Sequence, residues 1–233
     1  MKPTIRAVPI ALAALAVLVL AATPAAAAKA EVTITNLTYG QIISPPVVVS
    51  HDKTFQLFAP GQPASAGLSA LAEDALTGVL TDELAAHPGV FDFEVAAGGI
   101  PPGATRTVEI EINGTHRWIS LAGMLVTTND AFAAVRGLRT ERRPNMTYAE
   151  AWDAGSVENN EDCDFIPGPP CGNAGVRTAM SEGFVHIHRG IHGIDDLVAA
   201  DVDWRNPVAA VSVRLIPETG MIPEPLGAPL GAE

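Results

Sequence analysis

The spacing of apolar residues changes twice along this chain, from two to about 3.6 and back to two. Over residues 31–38 (EVTITNLT), Val32, Ile34 and Leu37 stand among polar neighbours, as a strand with one buried face requires. Residues 42–50 hold two prolines and then Val47, Val48 and Val49, the pattern of an edge strand that follows a turn. Between 66 and 86 the period lengthens. Leu68, Leu71, Ala75, Leu76, Val79, Leu80 and Leu84 recur at three- and four-residue steps, which predicts one amphipathic helix. Glu73, Asp74, Asp82 and Glu83 fall largely on its other side, and His87-Pro88-Gly89 ends it. Period two then returns, with Val108, Ile110 and Ile112 alternating with Thr107, Glu109 and Glu111, and Asn113-Gly114 follows as a hairpin signal. Residues 117–127 (RWISLAGMLVT) are almost continuously apolar and predict a central strand buried on both faces. Residues 184–187 and 208–216 supply two later strands. Strands dominate, one helix is prominent, the loops are long and nothing repeats. The fold expected is therefore mainly β, an antiparallel β-sandwich.

The two ends do not belong to this pattern. Lys2 and Arg6 precede an apolar run, and small residues follow it at 24–28, which is the layout of a secretory signal peptide over residues 1–28. The run is shorter than the roughly 20 residues a membrane span needs, so no integral span is expected after cleavage. A secreted or periplasmic protein is expected. Residues 217–233 are rich in Pro, Gly and Ala and read as a disordered tail, which leaves one domain over 31–216. Loss of the leader takes two of the fourteen basic residues and none of the twenty-six acidic ones, so the charge moves from −12 to near −14. Such a surface repels nucleic acid and anionic lipid and suits cations. In an exported protein, Cys163 and Cys171 of CDFIPGPPC read as a local disulfide, and their spacing is not a familiar zinc pattern.

Candidate chemistry lies in three loops, and no nucleophile elbow, phosphate-binding glycine loop or HExxH is present. Asn129 and Asp130 follow the most apolar strand, where a carboxylate at a strand end makes either a cation ligand or an Asx turn. Residues 152–164 (WDAGSVENNEDCD) crowd Asp153, Glu158, Asn160, Glu161, Asp162 and Asp164 together, which demands either solvation or a bridging cation. Residues 183–194 (GFVHIHRGIHGI) hold half of the six histidines. On a strand, His186 and His188 share one face, and the glycines at 190 and 193 allow His192 to return beside them. Three imidazoles on one face suit zinc or copper, and with an open position such a site activates water. The alternative is hydrogen bonding to carbonyls or carboxylates, with Asp195, Asp196, Asp201 and Asp203 close in sequence.

ITNLTYGQIISPP, LAEDALTGVLTDEL, RWISLAGMLVTTNDAF, WDAGS and EGFVHIHRGIHG followed by DWRNPVAAVSVRL occur in that order over residues 32–215. The ordered set resembles the spondin domain in its secreted bacterial form. The resemblance implies a C2-like antiparallel β-sandwich that binds calcium through loops at one end. It further implies a non-catalytic module for extracellular binding or adhesion, with a protein or glycan partner. Asp130 and Asp153 match the two aspartates of the family pattern. The surrounding residues depart from it at Asn129, Ala131 and Phe132 and at Ser156, Val157 and Glu158, so Asn129, Glu158, Asn160 and Asp162 are candidates for the remaining ligands. The resemblance assigns the histidines no role. Two expectations follow from different classes: a calcium-stabilised binding module, or a small metal-binding protein or metalloenzyme built on His186, His188 and His192.

Overall fold

The structure is a computed structural model that describes residues 27–217. The leader (except for 27–28) and the tail (except for 217) lie outside these residues. Nine strands run in chain order: β1 (Ala28–Asn36), β2 (Val47–His51), β3 (Val90–Val95), β4 (Thr105–Ile112), β5 (Trp118–Met124), β6 (Ala131–Arg139), β7 (Asn145–Asp153), β8 (His186–Ile187) and β9 (Ala209–Ile216). Helices α1 (Ala66–Asp74) and α2 (Gly78–Ala86) fall between β2 and β3, and a short α3 (Ala199–Val202) precedes β9. No helix of the described residues is long and apolar enough to cross a membrane.

The fold is mainly β, as expected, and all strand pairs are antiparallel. Eight strands follow one another in the order β3-β2-β5-β6-β7-β9-β1-β4, with β8 added to β7, and the sheet wraps into a nearly closed, barrel-like form. Strand β7 makes the wrap possible. Its first half pairs with β9 and its second half with β6, so one strand serves both parts of the sheet. At the remaining gap, the Glu111 N–H on β4 donates to Asp92 Oδ2 on β3 at 2.8 Å.

Strands in the middle of the sheet are buried on both faces, and the alternation sorts their side chains into two cores. Val48, Ile119, Leu121, Ala133 and Val135 point inward with Val32, Ile34, Ile110, Val211 and Val213. Val47, Val49, Ala122, Phe132, Ala134 and Trp152 point outward and are covered by Leu68, Leu71, Leu80 and Leu84 of the helices. The near-continuous apolar reading of residues 117–127 is explained by this double burial.

Four expectations change. The predicted single helix over 66–86 is two helices, broken where Ala75 adopts a left-handed conformation (φ 58°). The break turns α2 back along α1, so that Glu83 caps the start of α1. Its carboxylate accepts the Gly67 N–H at 2.7 Å and the Ser65 hydroxyl at 2.6 Å. Leu76 and Val79, part of the apparent apolar stripe, are exposed at the turn. The expected edge strand is interior, because β2 pairs with both β3 and β5; its two prolines precede the ladder and remove none of its donors. Asn113-Gly114 does not close a hairpin, since β4 and β5 pair with other strands. Asn113 Oδ1 instead accepts the Thr115 and His116 N–H groups, an Asx turn that carries the chain from one part of the sheet to another. The strand expected over 184–187 shrinks to the two residues of β8. Cys163 and Cys171 are joined in a disulfide, as their spacing suggested.

Candidate metal centre

The register of β6 against β7 brings Asp130 and Asp153 together. Asp153 is the last residue of β7 and pairs with Ala131, the residue after Asp130. Both aspartates are fully buried. A third carboxylate, Glu182, joins them from the loop before β8. One oxygen from each of the three lies within 4.8 Å of the others. Gly155 permits this approach: it has φ +63°, and a Cβ there would lie 2.2 Å from the Phe184 carbonyl oxygen. The Gly183 N–H donates to the Gly155 carbonyl at 2.8 Å, which docks the segment carrying Glu182.

Backbone donors hold one oxygen of each aspartate. Asp130 Oδ2 accepts the N–H groups of Ser156 and Val157 and the Ser156 hydroxyl at 2.8 to 3.2 Å. Asp153 Oδ1 accepts the Gly155 N–H at 2.7 Å, and its Oδ2 accepts from the Asn159 amide at 2.5 Å. The same amide reaches Glu182 Oε1 at 3.2 Å. Asp130 Oδ1 and Glu182 Oε2 are buried without a partner. No lysine or arginine among the described residues pairs with any of the three. Burial pushes the Asp130 carboxyl well above the usual carboxylate range, and the Asp153 charge adds to this against the pull of the Val157 and Ser156 N–H groups. Burial likewise raises Asp153; Gly155 and Asn159 offset part of the rise.

The other candidate ligands stand around the cluster rather than in it. Asn129 donates to Asn160 Oδ1 at 3.0 Å and accepts the Glu161 N–H, so the two asparagines tie the loop to the strand end. Asp162 caps the short 3-10 turn at Cys163–Phe165 by accepting the Asp164 N–H. Glu158 is held through its backbone N–H, which donates to the Met180 carbonyl at 3.0 Å.

The three histidines do not form one ligand set, although His186 and His188 both approach Asp153 Oδ2, at 3.7 and 3.9 Å. His188 is buried, and its Nδ1 accepts the Gly190 N–H at 3.0 Å. Its Nε2 therefore carries the proton and donates to Asn159 Oδ1 at 2.9 Å. Burial lowers its pKa to about 3, so the ring is neutral and has no lone pair left for a metal. His186 sits on the rim, with Nδ1 3.1 Å from the Phe184 carbonyl and Nε2 3.7 Å from Asp153 Oδ2. His192 is exposed, and among the described residues the three rings form no ligand-distance group. The backbone of this segment is gripped by Glu161, whose buried carboxylate accepts the N–H groups of His192, Gly193 and Ile194 at 2.6, 2.7 and 3.0 Å.

Sequence reasoning missed Glu182, Ser156, Asn159 and the gripping role of Glu161. For Ser156 and Asn159, membership of the acidic loop was the only signal. Glu182 stands 29 residues beyond Asp153 in a stretch with no other acid nearby, and only the chain's return beside Gly155 places it. Compared with known proteins, the chain matches no family model and no curated protein.

Proposed function

We propose that this protein is a secreted or periplasmic, non-catalytic binding module of spondin-like type, stabilised by calcium at Asp130, Asp153 and Glu182. One observation carries the proposal: three carboxylates converge at a buried strand end with no basic partner, and two of their oxygens are unpaired. Unpaired buried charges of this kind cost several kcal/mol. An all-oxygen set of carboxylates is what a hard divalent cation takes, and calcium tolerates irregular geometry. The antiparallel β fold and the strand-end position of the cluster support the C2-like architecture that the resemblance implies. The disulfide and the acidic composition support an extracellular setting, and the partner expected there is a protein or glycan.

Calcium, a ligand of the native state, should raise the melting temperature, with a stabilisation of about 2.7 kcal/mol at a hundred times its dissociation constant. Asp130→Asn should remove most of that rise, and Glu182→Gln a smaller part, since Glu182 is less buried. Differential scanning fluorimetry with calcium, magnesium and zinc measures this. Absence of a calcium-dependent rise at millimolar concentration would reject the site.

His186 favours one other reading. Its Nδ1–H donates to the Phe184 carbonyl, leaving Nε2 as the lone-pair nitrogen beside Asp153. Three carboxylates with one imidazole would suit zinc or copper, the metal-binding alternative, without His188 or His192. Under that reading zinc stabilises more than calcium does, and His186→Ala removes the difference.

A further inference from the structure

The other end of β5 and β6, about six residues along the strands from Asp130, carries a second site of different chemistry. A cavity of about 220 Å³ opens there between β2, β5 and β6. Its floor is polar and ordered. His51 Nδ1 lies 2.6 Å from the Asp52 carbonyl oxygen and must donate to it, so Nε2 accepts the Ser120 hydroxyl proton at 2.8 Å. Both residues are buried, yet both line the cavity. Trp118 and Phe58 supply apolar wall. Lys53 and Arg136 also line it, and no carboxylate does. Arg136 is steadied over the rings of Phe58 and Trp152, at 5.2 and 5.8 Å from their centroids. Among the described residues neither cation forms an ion pair. Two cations without acidic partners, at one cavity of a chain with twenty-six acidic residues, are out of keeping with the surface as a whole.

The backbone around the cavity is irregular at the residues that line it. The β5–β6 ladder shifts register between Ile119 and Leu121, where Arg136 and Gly137 on β6 both stand opposite Ser120. The β2–β3 ladder shifts between Ser50 and His51, with the extra residue, Phe91, on β3 opposite them. Gly137, next to Arg136, has φ +83°. Bulges re-aim side chains and are over-represented beside sites. Here the β6 bulge carries Arg136 itself, and His51 and Ser120 stand opposite the two irregularities.

We propose that this cavity binds a small organic anion with a planar apolar body, an aromatic carboxylate being the class it fits. The ring lies against Trp118 and Phe58, the Arg136 guanidinium and the Lys53 ammonium take the carboxylate, and the Ser120 oxygen and His51 edge form the floor. Guanidinium pairs with carboxylate through two parallel hydrogen bonds, which makes Arg136 the principal anchor and Lys53 a point-charge supplement. The site is separate from the carboxylate cluster and does not depend on a metal there.

The test is isothermal titration of the full exported chain with 2-naphthoate, repeated with 2-naphthylmethanol, which has the same ring system and no charge. One saturable site per chain is expected for naphthoate, with the alcohol at least about tenfold weaker, equal to about 1.4 kcal/mol. Arg136→Gln should weaken naphthoate about tenfold and leave the alcohol unchanged. Lys53→Gln, on an exposed residue that bears no fold, should weaken it about two- to fivefold and reduce its salt dependence. Absence of saturation, equal binding of the two probes, or no loss in the Lys53 variant would overturn the proposal. The probe comparison needs no variant, so misfolding of the Arg136 protein would not obscure the answer. Calcium should leave naphthoate affinity unchanged, which separates failure here from failure at the carboxylates.

Discussion

Two side chains twenty-seven residues apart, Glu161 and His188, show how the same loop region uses a charged and a neutral group for opposite ends. Glu161 adopts a left-handed conformation (φ 61°) and spends its carboxylate on three consecutive backbone N–H groups, the sort of concave donor array that binds anions. Glu161→Gln keeps the shape and loses the charge, so it should destabilise the protein by about 1–3 kcal/mol, in line with a buried charge-assisted bond. Urea denaturation measures it, and an unchanged midpoint would mean that the grip is dispensable. His188 is fixed as the Nε2–H tautomer by the Gly190 N–H on one side and the Asn159 carbonyl on the other. Its folded pKa is about 3, below that of the unfolded chain, so its contribution to stability is present above about pH 6.5 and declines as the pH falls below that value. Nitrogen-detected NMR should show this ring neutral, with the proton on Nε2, throughout pH 8 to 5. A ring titrating near its ordinary value would contradict the tautomer.

At the scale of elements, the α1–α2 pair offers a test in which two structures predict opposite signs. In a continuous helix, glycine at position 75 would cost about 1 kcal/mol relative to alanine. At the observed break, alanine already bears a left-handed penalty of about 1–2 kcal/mol, and glycine relieves it at an entropic cost of about 0.4–1 kcal/mol. Ala75→Gly should therefore stabilise the protein by roughly 0.5–1 kcal/mol. A lower thermal midpoint for this variant would restore the single helix. Periodicity could not reveal the break, because a three-four pattern continues through a turn whenever both halves place leucines toward one sheet. Strands β6 and β7 escaped for a related reason. Alanine fills both of them (Ala131, Ala133, Ala134, Ala149 and Ala151), and alanine contributes little hydrophobic contrast even where it is fully buried.

For the whole molecule, pH and calcium should be coupled through the carboxylate cluster. Asp130 and Asp153 have raised pKa values in the fold, so the metal-free protein holds protons that the unfolded chain releases above about pH 4. Their contribution to stability is present below that pH and is lost as pH rises through the raised folded values. Calcium competes with those protons, and its stabilising effect should grow from pH 5 to pH 8. Melting temperatures with calcium and with chelator across that range check the coupling; a calcium effect flat with pH would show that the ion binds elsewhere. The His188 contribution runs the other way between pH 6.5 and 4, and it is common to both samples, so the difference between them isolates the carboxylates.

By itself the sequence determined what depends on local spacing. The alternation in Val108, Ile110 and Ile112, the unbroken apolar run of β5, the pairing of two cysteines eight residues apart and the candidacy of Asp130 and Asp153 all follow from residues close in the chain. The tertiary structure decided everything that depends on return. Which strand lies beside β2, that Asn113-Gly114 turns a corner, that Glu182 meets two aspartates, and that His192 forms no ligand set with His186 and His188 are set by contacts between residues tens of positions apart. The physical reason is that side-chain period reports only which face an element buries, whereas the buried area, hydrogen bonds and charge that select a partner arise after the chain has folded back on itself.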